Sequence, residues 1–259
     1  MVTLARLDDL GDRLVVVNRN TTRRGALSPE LYATIMEAMH QATAPRIRAV
    51  ILTAEGGFFC AGGDLNVLIE RRTLSEAERR DKIDDLHDLI RVIRSCPVPV
   101  IASVEGGAAG AGASLALACD LIVAAKGAKF TAAYVKAGLV PDGGLTSALA
   151  RMLPRSLAME MCLLAKPIPS EQMHALGVVN ALVPPGHCDV QAHALADALA
   201  AGPRDAQRVI RGLVASAYEN TEAAQLDAER NAMAHAAGGP EAAEGIAAFL
   251  EKRRPDFSE

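Results

Sequence analysis

Short runs of β-branched residues alternate with longer stretches of helical periodicity along the chain as far as Pro185. The runs predict five strands, at residues 13–18, 47–53, 98–104, 121–124 and 178–183. After the first of them, Ser28 followed by Pro29 indicates the start of a helix. The apolar residues that follow have helical spacing and predict an amphipathic helix, at Leu31, Ile35, Ala38 and Met39.

A second long helix is predicted between residues 75 and 95. It opens with Ser75 followed three residues later by Glu78, which is a capping-box pattern. Pro97 should end the helix, because proline cannot continue the backbone hydrogen bonding. The predicted apolar face of this helix consists of Ile83, Leu86, Ile90 and Ile93.

Beyond His187 the β-branched runs vanish, and Ala-rich helical patterns follow one another with breaks at residues 202–203 and 238–240. Strands alternating with helices, and then helices alone, predict an α/β core over residues 1–186 and a helical segment over residues 187–259. Apolar stripes in that segment have no further sheet to cover them, for example Val209, Leu213 and Val214. We therefore expect the segment to mediate oligomerisation.

Composition narrows the class of protein. The chain has 259 residues and a mass of 27.1 kDa, and 50% of its residues are hydrophobic while 22% are charged. These values are typical of an ordered protein with a sizeable core. With 27 basic against 31 acidic residues, 3% aromatics and no Trp, the chain lacks both a basic surface and stacking platforms for bases. We therefore expect no nucleic-acid partner.

The patterns of cysteine, histidine and hydropathy bear on compartment, membrane and metals. The five cysteines have no CxxC spacing, which favours a reducing, cytoplasmic location. No apolar stretch reaches about 18 residues without a charge, and the first ten residues carry three charged side chains where a signal peptide would be apolar. We therefore expect no membrane association. The six histidines never fall at metal-ligand spacing, so we expect no metal site.

Two glycine-rich stretches follow predicted strands. Residues 58–65 contain the pair Gly62 and Gly63, and residues 104–114 contain four glycines before a helix-like segment. Backbone N–H groups that no side chain covers can bind an anion, and two such loops could converge. Tight packing of a helix on the sheet is an alternative explanation for these small residues. Neither stretch has the GxGxxG spacing of a dinucleotide site.

Taken together, these loops and four further segments resemble the crotonase (enoyl-CoA hydratase/isomerase) superfamily. The further segments are residues 118–125, 138–144, 176–180 and 244–253, so the resemblance covers nearly the whole chain in order. It implies an α/β fold with a crotonase-like spiral core of ββα turns and a C-terminal helical region. It also implies a homotrimer or a hexamer. The implied substrate is an acyl-CoA, and since coenzyme A is part of that substrate, we expect no separate cofactor.

The resemblance assigns an oxyanion hole. In the family, two backbone N–H groups bind the thioester oxygen, and the matching positions are Gly63 and Ala111. Alanine keeps its N–H, so both donors are present. A preorganised donor aimed at the enolate oxygen stabilises the transition state by about 3 kcal/mol. Neighbouring residues are expected to line the bound thioester, namely Ala61, Asp64, Leu65 and Gly110.

The acid–base residues depart from the hydratase pattern. Hydratases of the family use two glutamates, and the matching positions are Ser114 and Tyr134, which are poor bases at neutral pH. We expect both to line the acyl pocket. Asp142, between a proline and two glycines, is the expected catalytic carboxylate. A turn or helix-cap aspartate is the alternative from local sequence, but relatives with Pro-Asp-Gly-Gly here resemble acyl-CoA isomerases, including ring-epoxide isomerases of phenylacetate breakdown.

The nucleotide end of the substrate needs basic and apolar contacts. By resemblance, Arg24 lies in the loop on the adenine side, and Phe249 and Lys252 lie on a C-terminal helix that covers the nucleotide. Solvated basic residues and a subunit-interface phenylalanine are the alternative interpretations.

Three functions remain open from the sequence. The first is an isomerase that acts on an unsaturated or ring-derived acyl-CoA, with Asp142 as the base. The second is an enoyl-CoA hydratase. The third is a non-catalytic CoA-binding or RNA-binding relative. Asp142 in an open glycine-containing loop argues against this interpretation, and the balanced charge argues further against the RNA-binding version.

Overall fold

A six-stranded sheet forms the centre of the protein in the computed structural model, which describes residues 3–257. The strand order is β1-β2-β3-β4-β6-β9, and only the edge pair β1–β2 is antiparallel. The strands of this sheet are β1 (Ala5–Asp9), β2 (Arg13–Asn18), β3 (Ala49–Ala54), β4 (Val100–Val104), β6 (Leu121–Ala125) and β9 (Ala181–Val183).

A second, smaller sheet stands beside the first and has the order β5-β7-β8. It consists of β5 (Gly107–Ala109), β7 (Lys129–Thr131) and β8 (Ile168–Pro169). An isolated parallel bridge joins Cys60 to Ala108, so the chain after β3 also pairs with this sheet. The small sheet therefore fixes the loops that follow both β3 and β4.

Helices cover one face of the main sheet and form the larger core with it. Side chains of even-numbered β2 residues such as Leu14 and Val16 point into this core, and so do Leu31 and Leu149 from the helices. The helices of this part are α1 (Pro29–Gln41), α2 (Leu65–Arg71), α3 (Glu76–Arg94), α4 (Ala111–Ala118), α5 (Leu145–Met152), α6 (Arg155–Leu164) and α7 (Ser170–Ala175).

Helix α8 (Cys188–Ala200) covers the opposite face, where Cys188, Ala192 and Ala196 pack against odd-numbered β2 residues such as Val15. Asp189 ties the first turn of α8 to the sheet. Its Oδ1 accepts hydrogen bonds of 2.6 Å from the hydroxyls of Thr53 and Ser103. The sheet is thus buried on both faces, which explains its nearly continuous apolar strands.

The remaining helices have few buried residues. They are α9 (Arg204–Ser216), α10 (Glu222–Ala237) and α11 (Pro240–Glu251). Within these three helices, all of which the structure describes, Ala248 is the only buried residue.

The predicted α/β organisation with a helical C-terminal part is confirmed, and so is the capping box at Ser75 and Glu78. Strand β1 was missed, because charged residues interrupt its apolar pattern. Ile83 was placed wrongly on the apolar face of α3, since its side chain is exposed whereas Leu86, Ile90 and Ile93 are buried. Among the described residues, no helix is long and apolar enough to cross a membrane.

Candidate active site

The two glycine-rich loops meet at the carboxyl ends of β3 and β4, which are adjacent parallel strands. We call residues 55–64 the first loop and residues 105–110 the second loop. The backbone N–H of Ala109 donates to the carbonyl of Cys60 at 2.9 Å and joins them. The chain entering α1 is attached as well, since the Leu27 N–H donates to the Gly62 carbonyl at 2.8 Å. The predicted convergence is therefore present, at the sheet edge where α/β proteins bind ligands.

Two glycines permit this close approach. Gly62 has a φ of +89°, and a β-carbon there would lie 2.6 Å from the Ala109 carbonyl oxygen and 3.0 Å from the Ala111 nitrogen. A β-carbon on Gly112 would overlap the carbonyl oxygen of Cys60. Both positions therefore require glycine for steric reasons.

The backbone N–H groups of Gly63 and Ala111 are free in this arrangement. Ala111 is the first residue of α4, where an N–H has no acceptor within the helix. Between residues 3 and 257, neither N–H donates to another protein group. All eight residues of α4 are buried, so its N-terminus is fixed and directs free N–H groups towards the first loop. Such a site favours a developing negative charge.

The turn that contains Asp142 lies beside α4. It contacts the helix at Ser114, which follows Ala111 by about one helical turn. The Ser114 hydroxyl donates to the Asp142 carbonyl at 3.0 Å. A β-carbon on Gly143 would come within 2.9 Å of the Ser114 β-carbon, so the turn containing Asp142 sits tightly on the helix. Asp142 itself is half-buried.

Tyr134 connects the carboxylate to the second loop. Its hydroxyl donates to Asp142 Oδ1 at 2.7 Å, and a β-carbon on Gly110 would touch its ring at 3.9 Å. Burial raises the pKa of the Tyr134 phenol above its usual value, and the charge of Asp142 raises it further. The phenol therefore stays protonated at neutral pH and donates to the carboxylate. The sequence placed Ser114 and Tyr134 in the pocket but did not reveal that they orient Asp142.

The remaining predicted residues of the first loop have structural contacts of their own. Asp64 caps α2 by accepting from the Asn66 N–H at 2.9 Å, and it also pairs with Arg23. Ala61 donates its N–H to the Arg24 carbonyl at 3.0 Å. Leu65 begins α2 with 63% of its surface exposed, so it can contact a ligand above the loop.

Arg24 lies on the same side as these loops. Its guanidinium carbon is 4.1 Å from the centre of the Phe58 ring, and its backbone φ of +51° is left-handed. The buried amides of Asn18 and Asn20 hold this turn, because they donate to the carbonyls of Gly25 and Ala26 at 2.8 and 2.9 Å. Sequence reasoning missed this pair, although two asparagines at the end of a strand are a recognisable signal of a turn.

Phe249 and Lys252 lie at the end of α11. Phe249 is 83% exposed, and Lys252 ends the helix with a left-handed φ of +57°. In the part of the chain that the structure describes, neither side chain forms a hydrogen bond or ion pair with the loops. Helix α11 instead packs against α10.

The thiol nearest the loops is not reactive. Cys60 is fully buried, its Sγ accepts from the Gly62 N–H at 3.4 Å, and burial raises its pKa to about 12. No group of three or more His, Cys, Asp or Glu residues suited to a metal occurs between residues 3 and 257. The groups available for chemistry here are therefore free N–H donors and one oriented carboxylate.

Comparison with known proteins identifies the family of the chain. The family model for enoyl-CoA hydratase/isomerase matches residues 14–259. The chain is 37% identical to 1,2-epoxyphenylacetyl-CoA isomerase of Escherichia coli K12, over 91% of each protein. It is 31% identical to 2,3-dehydroadipyl-CoA hydratase of the same organism, over 94% of each. A crystal structure of an enoyl-CoA hydratase from Polaromonas sp. JS666 superimposes with a TM-score of 0.94 at 42% identity, covering 97% of this chain and 98% of that one.

The chain therefore belongs to the enoyl-CoA hydratase/isomerase family, and the crotonase fold expected from its motifs is confirmed. It is an acyl-CoA enzyme of that family.

Proposed function

We propose that the protein isomerises an unsaturated acyl-CoA, by moving a double bond or rearranging a ring, through an enolate of the thioester. The observation that carries the proposal is one oriented carboxylate: the Tyr134 hydroxyl donates to Asp142, and the Ser114 hydroxyl donates to the Asp142 carbonyl. By the family resemblance, Ser114 and Tyr134 stand at the positions of the two hydratase glutamates. One carboxylate suffices for an isomerase, because the proton that it removes is the proton that it returns.

The chemistry can be written for movement of a double bond. The thioester oxygen accepts hydrogen bonds from the N–H groups of Gly63 and Ala111. Asp142 takes a proton from the carbon next to the thioester, and the electron pair of that C–H bond enters the enolate, whose charge the two donors stabilise. Asp142 then returns the proton to the far carbon of the conjugated system. No atom is gained or lost.

The nucleotide end is proposed to bind Arg24, with Phe249 and Lys252 supplied by a neighbouring subunit. The exposure of Phe249 supports that assignment. Ala61, Asp64, Leu65 and Gly110 are proposed to line the thioester. Coenzyme A enters as part of the substrate, without a separate cofactor.

Assembly into a homotrimer or hexamer is part of the same proposal. We assign residues 187–259 to assembly and residues 1–186 to the catalytic core, although α8 packs on the sheet of that core. The apolar residues exposed on α9 to α11 support the assignment, among them Val214, Leu226, Met233, Ile246 and Leu250.

Hydration is the second candidate, because several relatives of this chain have names that describe hydratases. It requires a group that activates water in addition to one that protonates carbon. Asp142 is the carboxylate that Tyr134 and Ser114 orient in this site, so hydration would need a further group from outside it.

A substrate panel with mass detection separates the two reactions. The purified enzyme is incubated with 3-enoyl-CoA and 2-enoyl-CoA esters of several chain lengths. We expect 3-enoyl-CoA to give an isomeric product of unchanged mass and 2-enoyl-CoA to gain no water. Rapid addition of water to 2-enoyl-CoA, with no isomerisation of any ester, would overturn the proposal in favour of the hydratase.

A further inference from the structure

The pairing of β3 with β4 ends early. Both strands are described in full, and their last register pair is Leu52 with Ala102. On its other side β3 stays paired with β2 as far as Ala54, and β4 stays paired with β6 as far as Val104. The sheet therefore ends its pairing early between the two strands that lead into the loops of the candidate site.

Asp189 joins the two strands at that position. Thr53 and Ser103 stand next in the register, and both are buried. Their hydroxyls donate to the same oxygen, Asp189 Oδ1, at 2.6 Å each. Short hydrogen bonds from a hydroxyl to a carboxylate are stronger than those between neutral groups. One carboxylate of α8 thus holds the ends of β3 and β4 together, on the face of the sheet opposite α4.

Glu105 makes a second connection between α8 and the loops. It is the first residue of the second loop, and its Oε1 accepts from the N–H groups of Gly186 and Cys188 at 2.8 and 3.3 Å, at the start of α8. Its backbone carbonyl accepts from the Phe59 N–H of the first loop at 3.0 Å. The start of α8 is therefore connected to both loops through Glu105.

The free N–H groups lie further along the same two segments. Gly63 is in the loop that Thr53 leads into, and Ala111 directly follows the loop that Glu105 begins. The two donors can bind one oxygen only while the two loops keep their separation. Reaction rates are sensitive to such geometry, since a displacement of about 1 Å can lower a rate about a hundredfold.

We infer that Asp189 and Glu105 are positioning residues, which set the separation of the two loops from the far face of the sheet. Through the loops they set the separation of the N–H groups of Gly63 and Ala111. The inference rests on the proposed use of these N–H groups and adds residues outside the site to it. If the two carboxylates served only to attach α8, their loss would lower stability without changing the rate per folded enzyme.

Substitution of Asp189 separates these two roles. Asp189→Ala leaves the hydroxyls of Thr53 and Ser103 without their acceptor, so kcat should fall about tenfold for whichever enoyl-CoA reaction the wild type catalyses. The dissociation constant of a saturated acyl-CoA should stay within twofold, because no charge develops on its thioester oxygen. Asp189→Asn keeps an acceptor oxygen and should restore most of kcat. Circular dichroism gives the folded fraction to which kcat is normalised.

Two further variants extend the test. Glu105→Ala should lower kcat about threefold, and Glu105→Gln, which can still accept from both N–H groups, should restore it. If Asp189→Ala does not fold, Thr53→Val takes its place. It deletes one of the two donor hydroxyls at nearly constant shape, and kcat should again fall about threefold.

Asp120→Ala is the matched control. Asp120 Oδ2 accepts from the Val100 N–H at 2.7 Å and pairs with Arg211 of α9 at 2.8 Å. It therefore also attaches a C-terminal helix to β4, but at the opposite end of that strand. Its loss should lower the thermal unfolding midpoint, as the loss of Asp189 does, and leave kcat within twofold of the wild type.

Unchanged kcat in Asp189→Ala or in Glu105→Ala would overturn the assignment of that residue. An equal fall of kcat in Asp120→Ala, or no recovery in Asp189→Asn and Glu105→Gln, would overturn the positioning role as a whole. If the wild type turns over no ester, the proposed function fails separately, and binding then tests the inference. The wild type should prefer a 3-ketoacyl-CoA, which readily forms an enolate, over the saturated ester, and Asp189→Ala should reduce that preference about tenfold. An unchanged preference, or none in the wild type, would contradict the inference.

Discussion

Helix α4 and the last three helices of the chain, α9 to α11, differ in where their apolar residues lie. All eight residues of α4 are buried against its own chain, and its first N–H groups are left free beside the first loop. Of the residues in α9 to α11, which the structure describes completely, Ala248 alone is buried, and large apolar side chains such as Phe249 face outward.

This difference separates two kinds of requirement. The geometry of the loops and of α4 comes from packing within one chain, so contacts with another subunit are not needed to position the free N–H groups and Asp142. A helix such as α10 gains little from burial in its own chain, and isolated helices of this length are marginally stable in water. The C-terminal helices are therefore expected to gain stability from another copy of the chain. Substitutions in the two regions should have different consequences: lost catalysis in the first, and lost assembly in the second.

The largest effect is expected for Asp142→Asn. Asparagine fills the same space but cannot take a proton, so kcat for isomerisation should fall about a thousandfold. Binding of a saturated acyl-CoA should change little, because the backbone donors are intact. Steady-state kinetics and calorimetry measure the two quantities. Asp227→Asn on α10, which removes an exposed carboxylate outside the site, is the matched control. Undiminished turnover by Asp142→Asn would exclude Asp142 as the base.

Substituting Gly63 tests the backbone donor. Gly63→Pro deletes the N–H, so kcat/KM should fall about a hundredfold, which corresponds to about 3 kcal/mol of transition-state stabilisation. Gly63→Ala keeps the N–H, and its β-carbon would lie at an ordinary distance of 3.6 Å from the nearest Leu68 carbon, so it is the matched control. A folded Gly63→Pro enzyme with the activity of Gly63→Ala would show that this donor is not used.

The sequence predicted the strands of the buried parallel sheet because their apolar runs are nearly continuous, and it predicted the capped helices because caps are local signals. Strand β1 was missed because charged residues interrupt its apolar pattern, and the strands of the second sheet were missed because two or three residues carry too little periodicity. The Cys60–Ala108 bridge is also invisible in the sequence, because it depends on the packing of two loops that are far apart along the chain.

The candidate site shows the same limit. The motifs indicated Gly63, Ala111 and Asp142 from their residue types and resemblance. They did not indicate that Tyr134 donates to Asp142. They also did not indicate that the Asp64 carboxylate pairs with Arg23 and caps α2 at Asn66. The contacts of Asp142 and of Arg23 join residues that are brought together only by the fold. Contacts between side chains of different loops can be identified only from the three-dimensional structure, whereas backbone donors can be inferred from a glycine pattern.

The substitution Phe249→Ser tests whether α11 contributes to assembly and to CoA binding. A deletion that starts at Gly239 would be a less specific test of α11, because it would remove Glu241 together with Phe249. The Glu241 carboxylate accepts from the N–H groups of Asp205 and Ala206 and so caps α9. The point substitution avoids that damage. If Phe249 is buried by a neighbouring subunit, the dissociation constants for assembly and for CoA should each rise about tenfold. Analytical ultracentrifugation and calorimetry measure them.

Leu10→Ser, which changes an exposed leucine in the turn between β1 and β2, is the control for that substitution. It should leave assembly as it is in the wild type. A wild-type protein that sediments as a monomer of 27.1 kDa and binds CoA as tightly as Phe249→Ser does would contradict the assignment of this helix to assembly.

The smallest effect is expected for Tyr134→Phe, which keeps the ring against Gly110 and deletes only the hydroxyl that orients Asp142. The Ser114 hydroxyl still holds the Asp142 backbone, so the carboxylate loses one of two restraints. Loss of one such hydrogen bond costs about 1 kcal/mol, which predicts a fall in kcat of about fivefold. KM should stay within twofold, because the hydroxyl is already committed to Asp142 and is not offered to the substrate. A rise in KM at constant kcat would instead place Tyr134 in direct contact with the substrate.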